Sequence, residues 1–257
     1  MIKGPKALGD SLILTFAIDE IKRYFPNTKV IIATNRPYLY ENNHNIYKII
    51  KRHAPKFYYF ARLPMDALGI KPPYSPRRLH LAVDDKTLTK MAQQLPKKFV
   101  VLNPSGNPAM SFDRRSWGFE RYQQLVDLMC DTTFVQIGFA TDQLLRGVLD
   151  FRGLPHMMEF AAIVKLAQAG LFHDCGFTHL AVAVQTRCVV LWGGASHISS
   201  YGHDTNINLI ETVECSPCSP VGRYCEHNMR CMELLTPEFV TDKLRELLVD
   251  SAQKKSF

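Results

Sequence analysis

Long apolar runs are the first thing this sequence lacks. Nowhere do 18 apolar residues follow one another, which leaves no candidate membrane span. Its opening residues, MIKGPKALGD, also lack the apolar region of a secretory signal. A soluble, cytoplasmic protein is therefore expected. The signature of an RNA- or DNA-binding module is missing as well, although aromatic residues mix with Lys and Arg after Arg52, so nucleic acid is not an expected partner. What the chain does have is core material: 46% of its 257 residues are hydrophobic, enough for one large or two small domains. The formal net charge of +7 has two readings. Either it favours an anionic partner such as a nucleotide, a phosphorylated glycolipid or a membrane surface, or it is ordinary variation in surface charge.

The most informative stretch is residues 170–194, GLFHDCGFTHLAVAVQTRCVVLWGG. Its pattern predicts a short strand over 170–173, a polar loop Asp174-Cys175-Gly176, and a compact helix over 177–184. A β-branched, buried strand over 187–192 follows, closed by Gly193 and Gly194. Such a βαβ unit sets the loop at the carboxyl end of a strand and the amino end of a helix. Unpaired N–H groups and the positive end of the helix dipole meet there, which suits a phosphate or diphosphate. Gly176 lets the backbone approach such a ligand closely, and His179 on the first helical turn adds a donor.

The same alternation of strand and helix runs through the rest of the chain. Residues 11–24 read as a helix buried through Leu12, Leu14, Ala17, Ile18 and Ile21 and ended by Pro26. Asp10, just before it, is either the N-cap or a general base exposed at a sheet edge. Strands are expected over 29–33 and 47–51, with a short helix beginning at 38–40. From Arg52 the pattern weakens into a helix ending near Leu68 and Gly69, a basic extended segment from Pro72 to Arg78, and an edge strand over 79–83. A helix over 87–95 and the linker Pro96-Lys97-Lys98 place a domain boundary there. A second α/β series follows, with strands over 99–103 and 134–138 and helices over 119–129 and 157–169. Its first loop carries Ser105 and then Arg114, Arg115 and Trp117, which suits an anionic ligand or is a surface loop with a packed Trp. Asp142 either reaches a ligand's hydroxyls or caps a following helix. The last helix, from Pro237, is amphipathic.

Cys215 and Cys218 form a Cys-x2-Cys pair, with Cys225 and Cys231 close behind. That spacing is zinc-like; the other readings are a reduced cytosolic cluster, or disulfides in an oxidising compartment.

Four segments together resemble the ADP-heptose:lipopolysaccharide heptosyltransferase family, glycosyltransferase family 9. They are Ala7-Leu8-Gly9-Asp10 with the helix ending Tyr24-Phe25-Pro26, and the small-residue loop with a basic residue before Trp117. They are also the Asp-x-Gly-x-x-His run Asp174-Cys175-Gly176-Phe177-Thr178-His179, and Gly193-Gly194 with the cysteine pattern and TPEFV. The likeness covers the carboxyl-terminal half almost end to end.

The resemblance implies a GT-B architecture, an α/β fold of two Rossmann-like domains whose parallel sheets face a cleft. Residues 1–96 would form the acceptor domain, 97–240 the nucleotide-sugar domain, and 241–257 the end of the last helix and a tail. It implies an inverting sugar transfer from a nucleotide-diphosphate sugar, most readily ADP-heptose, to a lipopolysaccharide or other surface-glycan acceptor. By motif position Asp10 would be the catalytic base. Donor contacts would come from Ser105, Arg114, Arg115, Asp142, Asp174, Gly176, Phe177, Thr178, His179, Gly193 and Gly194. No cofactor is required for catalysis, and Cys215, Cys218, Cys225 and Cys231 are candidate ligands of a structural zinc or iron. The anionic glycolipid acceptor implies peripheral contact with the cytoplasmic face of the inner membrane. The chain departs from the family in a short amino-terminal half, with length missing near residues 50–53 and Gly4-Pro5 inside the first strand. That half is expected to be reduced, incomplete or completed by a partner. Two other functions follow from the same motifs: transfer to a protein acceptor, as in autotransporter heptosylation, and a non-catalytic nucleotide-sugar-binding or partner-dependent subunit.

Overall fold

The computed structural model describes residues 2–3, 8–51, 79–105, 115–194, 198–216, 218 and 225–254. The side chains of residues 2, 3, 10, 200 and 251–254 fall outside that description. Within it, all sheet pairing is parallel. The first sheet has three strands in the order β1-β2-β3: β1 (Ile2–Lys3), β2 (Val30–Thr34) and β3 (Ile46–Lys51). The second contains β4 (Val100–Asn103), β5 (Phe134–Gly138), β6 (Leu149–Arg152), β7 (Ala169–His173), β8 (Cys188–Trp192) and β9 (Ile207–Ile210). Their order is β6-β5-β4-β7-β8-β9. From β4 the chain moves outward to β5 and β6, then returns across β4 to lay down β7, β8 and β9 on the other side. The order therefore reverses between β4 and β7, and a crevice opens beyond their carboxyl ends, where ligands of open α/β sheets bind.

Parallel strands need crossovers, and helices supply most of them. They are α1 (Leu8–Tyr24), α2 (Asp85–Ala92), α3 (Phe119–Leu128), α4 (Met157–Leu166), α5 (Gly176–Ala183), the single turn α6 (Ile198–Tyr201), α7 (Arg230–Glu233) and α8 (Pro237–Lys254). Strands β4, β5, β7 and β8 are buried at every position. Their side chains alternate between two apolar layers, as the two-residue period of a strand requires. Val100 and Leu102 pack with Trp117, Tyr122 and the α8 residues Val240, Leu244 and Leu247. Phe99 and Val101 pack with α4 and α5 on the other face.

That second layer does not stop at the larger sheet. It continues through Leu12, Leu14, Phe16, Ile18 and Ile21 of α1 to Val30 and Ile32 of β2. Helix α1 is buried on more than one face because it lies between β2 and α5, and even Ser11 and Thr15 are fully covered. Thr15 Oγ1 satisfies its hydroxyl by donating to Leu12 O at 2.6 Å. Helix α2 also joins this layer through Met91, and Lys90 pairs with Glu159 of α4.

Most expected elements stand within a few residues of their expected places. Residues 79–83 pair with no strand among the described residues. Leu79, Leu81 and Val83 alternate inward, and Leu81 N–H donates to Ala183 O at 3.0 Å. Strands β6 and β9 were not legible, since LDFR and INLI are half-exposed edge strands with weak patterning. Asp10 is not a helix-start cap: α1 begins at Leu8, so Asp10 is the third residue of its first turn. No helix follows Asp142, which sits in a turn before β6. The expected helix near Leu68 and the basic segment 72–78 lie outside the described residues.

Candidate functional site

The crevice beyond β4 and β7 is lined from both strands. Past β4 the chain runs through half-buried Ser105; it re-enters the description at Arg115. Trp117 fixes that arm. Its ring is fully buried, its Nε1–H donates to Leu235 O at 2.6 Å, and it meets Tyr122 edge-on at 5.0 Å. Past β7 comes Asp174, whose N–H donates to Leu191 O at 3.1 Å as an extra rung between β7 and β8. This anchoring holds its carboxylate, in a residue only 4% exposed, against Arg115, with Nη1 and Oδ2 3.3 Å apart. The contact is ionic and lacks hydrogen-bond geometry: among the described residues, buried Oδ2 has no hydrogen-bond partner. A half-exposed guanidinium lying beside a carboxylate without bonding to it is positioned to change partners.

Helix α5 begins directly after Cys175, with its first N–H groups and dipole end facing this corner. Burial pushes the Cys175 thiol up to about 11, so it stays protonated there. His173 lies beneath, its Nδ1 3.5 Å from Tyr122 Oη; burial, and then the Arg115 charge, hold it down to about 4. His179, on the first turn of α5, is 5% exposed. Its Nδ1 lies 2.8 Å from Nε2 of His203. Burial first, then His203 and Arg115, lower it to about 3, so it is neutral at physiological pH. It therefore offers hydrogen bonds, not positive charge.

The opposite wall comes from α1. A Cβ placed on Gly9 would stand 2.8 Å from His179 Cδ2 and 3.6 Å from Gly176 Cα. One placed on Gly176 would stand 3.4 Å from Leu8 Cβ. The first turns of α1 and α5 are thus in backbone contact, and Asp10 follows Gly9 at that seam.

The fold brings Arg115, Asp174, Gly176 and His179 together with Leu8-Gly9-Asp10. Other expected donor residues have different surroundings. Thr178 Oγ1 donates to His173 O at 3.0 Å and is fully buried. The Phe177 ring packs into the core against Phe160 and Phe172, with centroids 5.8 and 6.1 Å apart. Any ligand contact from these two would come from the backbone. Asp142 Oδ2 accepts Phe139 N–H at 2.8 Å and closes a turn beyond β5, two strands from Asp174. Partial burial raises its carboxyl. Gly193 and Gly194 end β8, next to β7. Arg114 lies outside the described residues. His203 and Gly9 are the residues that sequence reasoning left without a role; no spacing signals a contact made across 24 residues or between two helix ends.

Of the four carboxyl-terminal cysteines, Cys218 and Cys231 lie beside Gly194. Cys218 N–H donates to Gly194 O at 2.7 Å, Gly194 N–H points at Cys231 Sγ at 3.5 Å, and Met229 N–H at Cys225 Sγ at 3.3 Å. None of the seven cysteines is in a disulfide among the described residues. Among the described residues, no three His, Cys, Asp or Glu side chains form a group that could hold a metal ion.

A family model described as glycosyltransferase family 9 (heptosyltransferase) matches residues 40–227. The chain is similar in fold to E. coli ADP-heptose LPS heptosyltransferase II, with a TM-score of 0.71 at 14% identity over 98% of this chain and 98% of that one. A family 9 glycosyl transferase from Veillonella parvula gives 0.72 at 14%, covering 97% and 96%. The dodecameric iron-containing heptosyltransferase TibC of enterotoxigenic E. coli, in complex with ADP-D-β-D-heptose, gives 0.72 at 15%, covering 97% and 76%. At such identities the likeness is one of fold, and it is the GT-B arrangement of parallel α/β sheets. No curated protein sequence matches the chain.

Proposed function

The chain belongs to glycosyltransferase family 9, the heptosyltransferases, and from that premise we propose that it transfers heptose from ADP-heptose to a hydroxyl of a bacterial surface glycan. Lipopolysaccharide is the first candidate acceptor. The observation that carries this reading is the Arg115–Asp174 pair at the amino end of α5, set in the crevice where the strand order reverses. In the reaction, Asp10 takes the proton of the acceptor hydroxyl. The oxygen attacks the anomeric carbon from the face opposite the diphosphate, the bond to the diphosphate breaks, and ADP leaves with the electron pair. The configuration inverts. Negative charge grows on the leaving phosphates, where Arg115 and the α5 N–H groups stand ready to receive it. Arg115 exchanges Asp174 for phosphate at this point, and Asp174 is freed towards the sugar or ribose hydroxyls.

Calorimetry with ADP, UDP and GDP tests the donor half. ADP is expected to bind selectively, and Asp174→Ala to weaken it at least about tenfold, the equivalent of losing one charge-assisted contact. Absence of nucleotide binding by folded protein would replace this reading with the non-catalytic, partner-dependent subunit. Acceptor assays then need both a lipopolysaccharide core and a protein arm. The net charge of +7 suits an anionic acceptor at a membrane face. Among the described residues no helix is long and apolar enough to cross a membrane.

Cys215, Cys218, Cys225 and Cys231 are, in this proposal, a structural tetrathiolate for zinc or iron. Their soft donors suit either metal, and two of the sulfurs already accept backbone N–H groups, from Gly194 to Cys231 and from Met229 to Cys225. The described geometry does not gather three of them, so no step of the reaction is routed through a metal. Protein purified without chelators is expected to carry about one metal equivalent, following the stoichiometry of a tetrathiolate site. Metal-free protein with all its thiols titratable would reject the site.

A further inference from the structure

We propose that His203 is a positioning residue for this site: its Nε2–H donates to Nδ1 of His179 and fixes His179 in the neutral tautomer whose Nε2–H points into the seam between α1 and α5. The inference rests on the reading of that seam as the donor site.

The two imidazoles are 2.8 Å apart, N to N, with rings edge-on at 5.1 Å and 77°. Both residues are buried, at 5% and 2% exposure. At that distance one proton must lie between the two nitrogens: two bare lone pairs repel, and so do two N–H groups. A doubly charged pair is ruled out by burial, which holds His179 far below its ordinary value. Two arrangements remain. If His203 donates, His179 carries its own proton on Nε2. If His179 donates, its Nε2 presents a lone pair.

The ring itself cannot choose by moving. On one side His203 holds Nδ1; on the other, Gly9 leaves no room, since even a Cβ there would lie 2.8 Å from Cδ2 and 3.5 Å from Nε2. His203 is held in turn. Its carbonyl accepts from Asn208 Nδ2 at 3.0 Å and from Asn206 N–H at 3.1 Å. Asn208 Oδ1 accepts Trp192 Nε1–H at 2.9 Å at the end of β8. The remaining variable is the proton. A lone pair facing a diphosphate is repulsive, whereas an N–H is a donor to it, so an anionic donor selects the arrangement in which His203 donates. His203 thus acts through His179, by deciding what its far nitrogen offers.

The test is nitrogen-15 NMR of the imidazoles in wild type, with and without ADP, together with ADP titrations of His203→Leu and His203→Gln. In wild type, His179 is expected to show a protonated Nε2 and a bare Nδ1. His203→Leu is expected to populate both tautomers and lose about tenfold in ADP affinity, the worth of one hydrogen bond to a charged group. His203→Gln, whose amide N–H reaches similarly, is expected to restore both to within about threefold of wild type. A proton on Nδ1 of His179 in wild type would overturn the proposal, as would a Leu variant with unchanged tautomer and affinity. The wild-type spectrum needs no variant to fold. It also reads the pair without nucleotide, so a protein that binds no ADP sinks the functional reading while the tautomer still judges this one.

Discussion

Asp10→Asn is expected to reduce sugar transfer by about a hundred- to ten-thousandfold, the usual range for removing a positioned general base. Nucleotide affinity should stay near wild type, because Arg115, Asp174 and the α5 N–H groups are untouched. The competing explanation, that Asp10 only supports its helix, makes a different prediction. Its backbone position already excludes an N-cap role, since α1 starts at Leu8. What remains is an acid in the first turn, worth about 0.3–1 kcal/mol through the helix dipole. Replacement by Asn would then lower stability slightly and leave turnover intact. Steady-state kinetics beside a denaturation curve separates the two. Full activity in the Asn variant would remove Asp10 from the mechanism.

Gly9→Ala should damage both stability and nucleotide binding, although Ala is the better helix former by about 1 kcal/mol. The new methyl would lie 2.8 Å from His179 Cδ2. The ring cannot retreat, because its Nδ1 is already 2.8 Å from His203. Overpacking of this kind costs about 1–3 kcal/mol, so the steric term wins over propensity. A chain of this size loses about 2–4 °C of Tm per kcal/mol, and a drop of several degrees is expected. Gly176→Ala is the control: its methyl would meet Leu8 at 3.4–3.5 Å, an ordinary contact. It should spare the melting temperature and weaken ADP alone, by standing where the phosphate must approach. Equal Tm for Gly9→Ala and wild type would mean that α1 and α5 are not in contact in solution.

These two glycines show how far the sequence could be read. Gly176 was legible because it follows Asp174 between a buried strand and a helix, a local pattern with a local meaning. Gly9 was visible only as part of a motif, and its physical role is a contact with a helix more than 160 residues away. Periodicity found β4, β5, β7 and β8 because each is a dense apolar run, and it missed the half-exposed edges β6 and β9. Trp117 raised the question of a packed surface loop; its ring is indeed packed, and Arg115 two residues before it lies against Asp174. Phe177 and Thr178 lie inside the motif but point inward, because a helix of eight residues between two strands must bury most of its faces. The His179–His203 pair had no local signature at all.

Burying α1 between β2 and α5 also governs how the molecule can move. Swinging the small sheet away from the large one would bring Leu12, Phe16, Leu180 and Val184 into water together, at about 25 cal/mol for each Å² of apolar surface exposed. Hinged breathing of the two halves is therefore expected to be suppressed. The same continuity makes the halves melt as one. Far-ultraviolet dichroism and tryptophan fluorescence, which reports Trp117 and Trp192 in the large sheet's two layers, should give coincident denaturation midpoints. Separate midpoints would show that the shared layer comes apart before the sheets do.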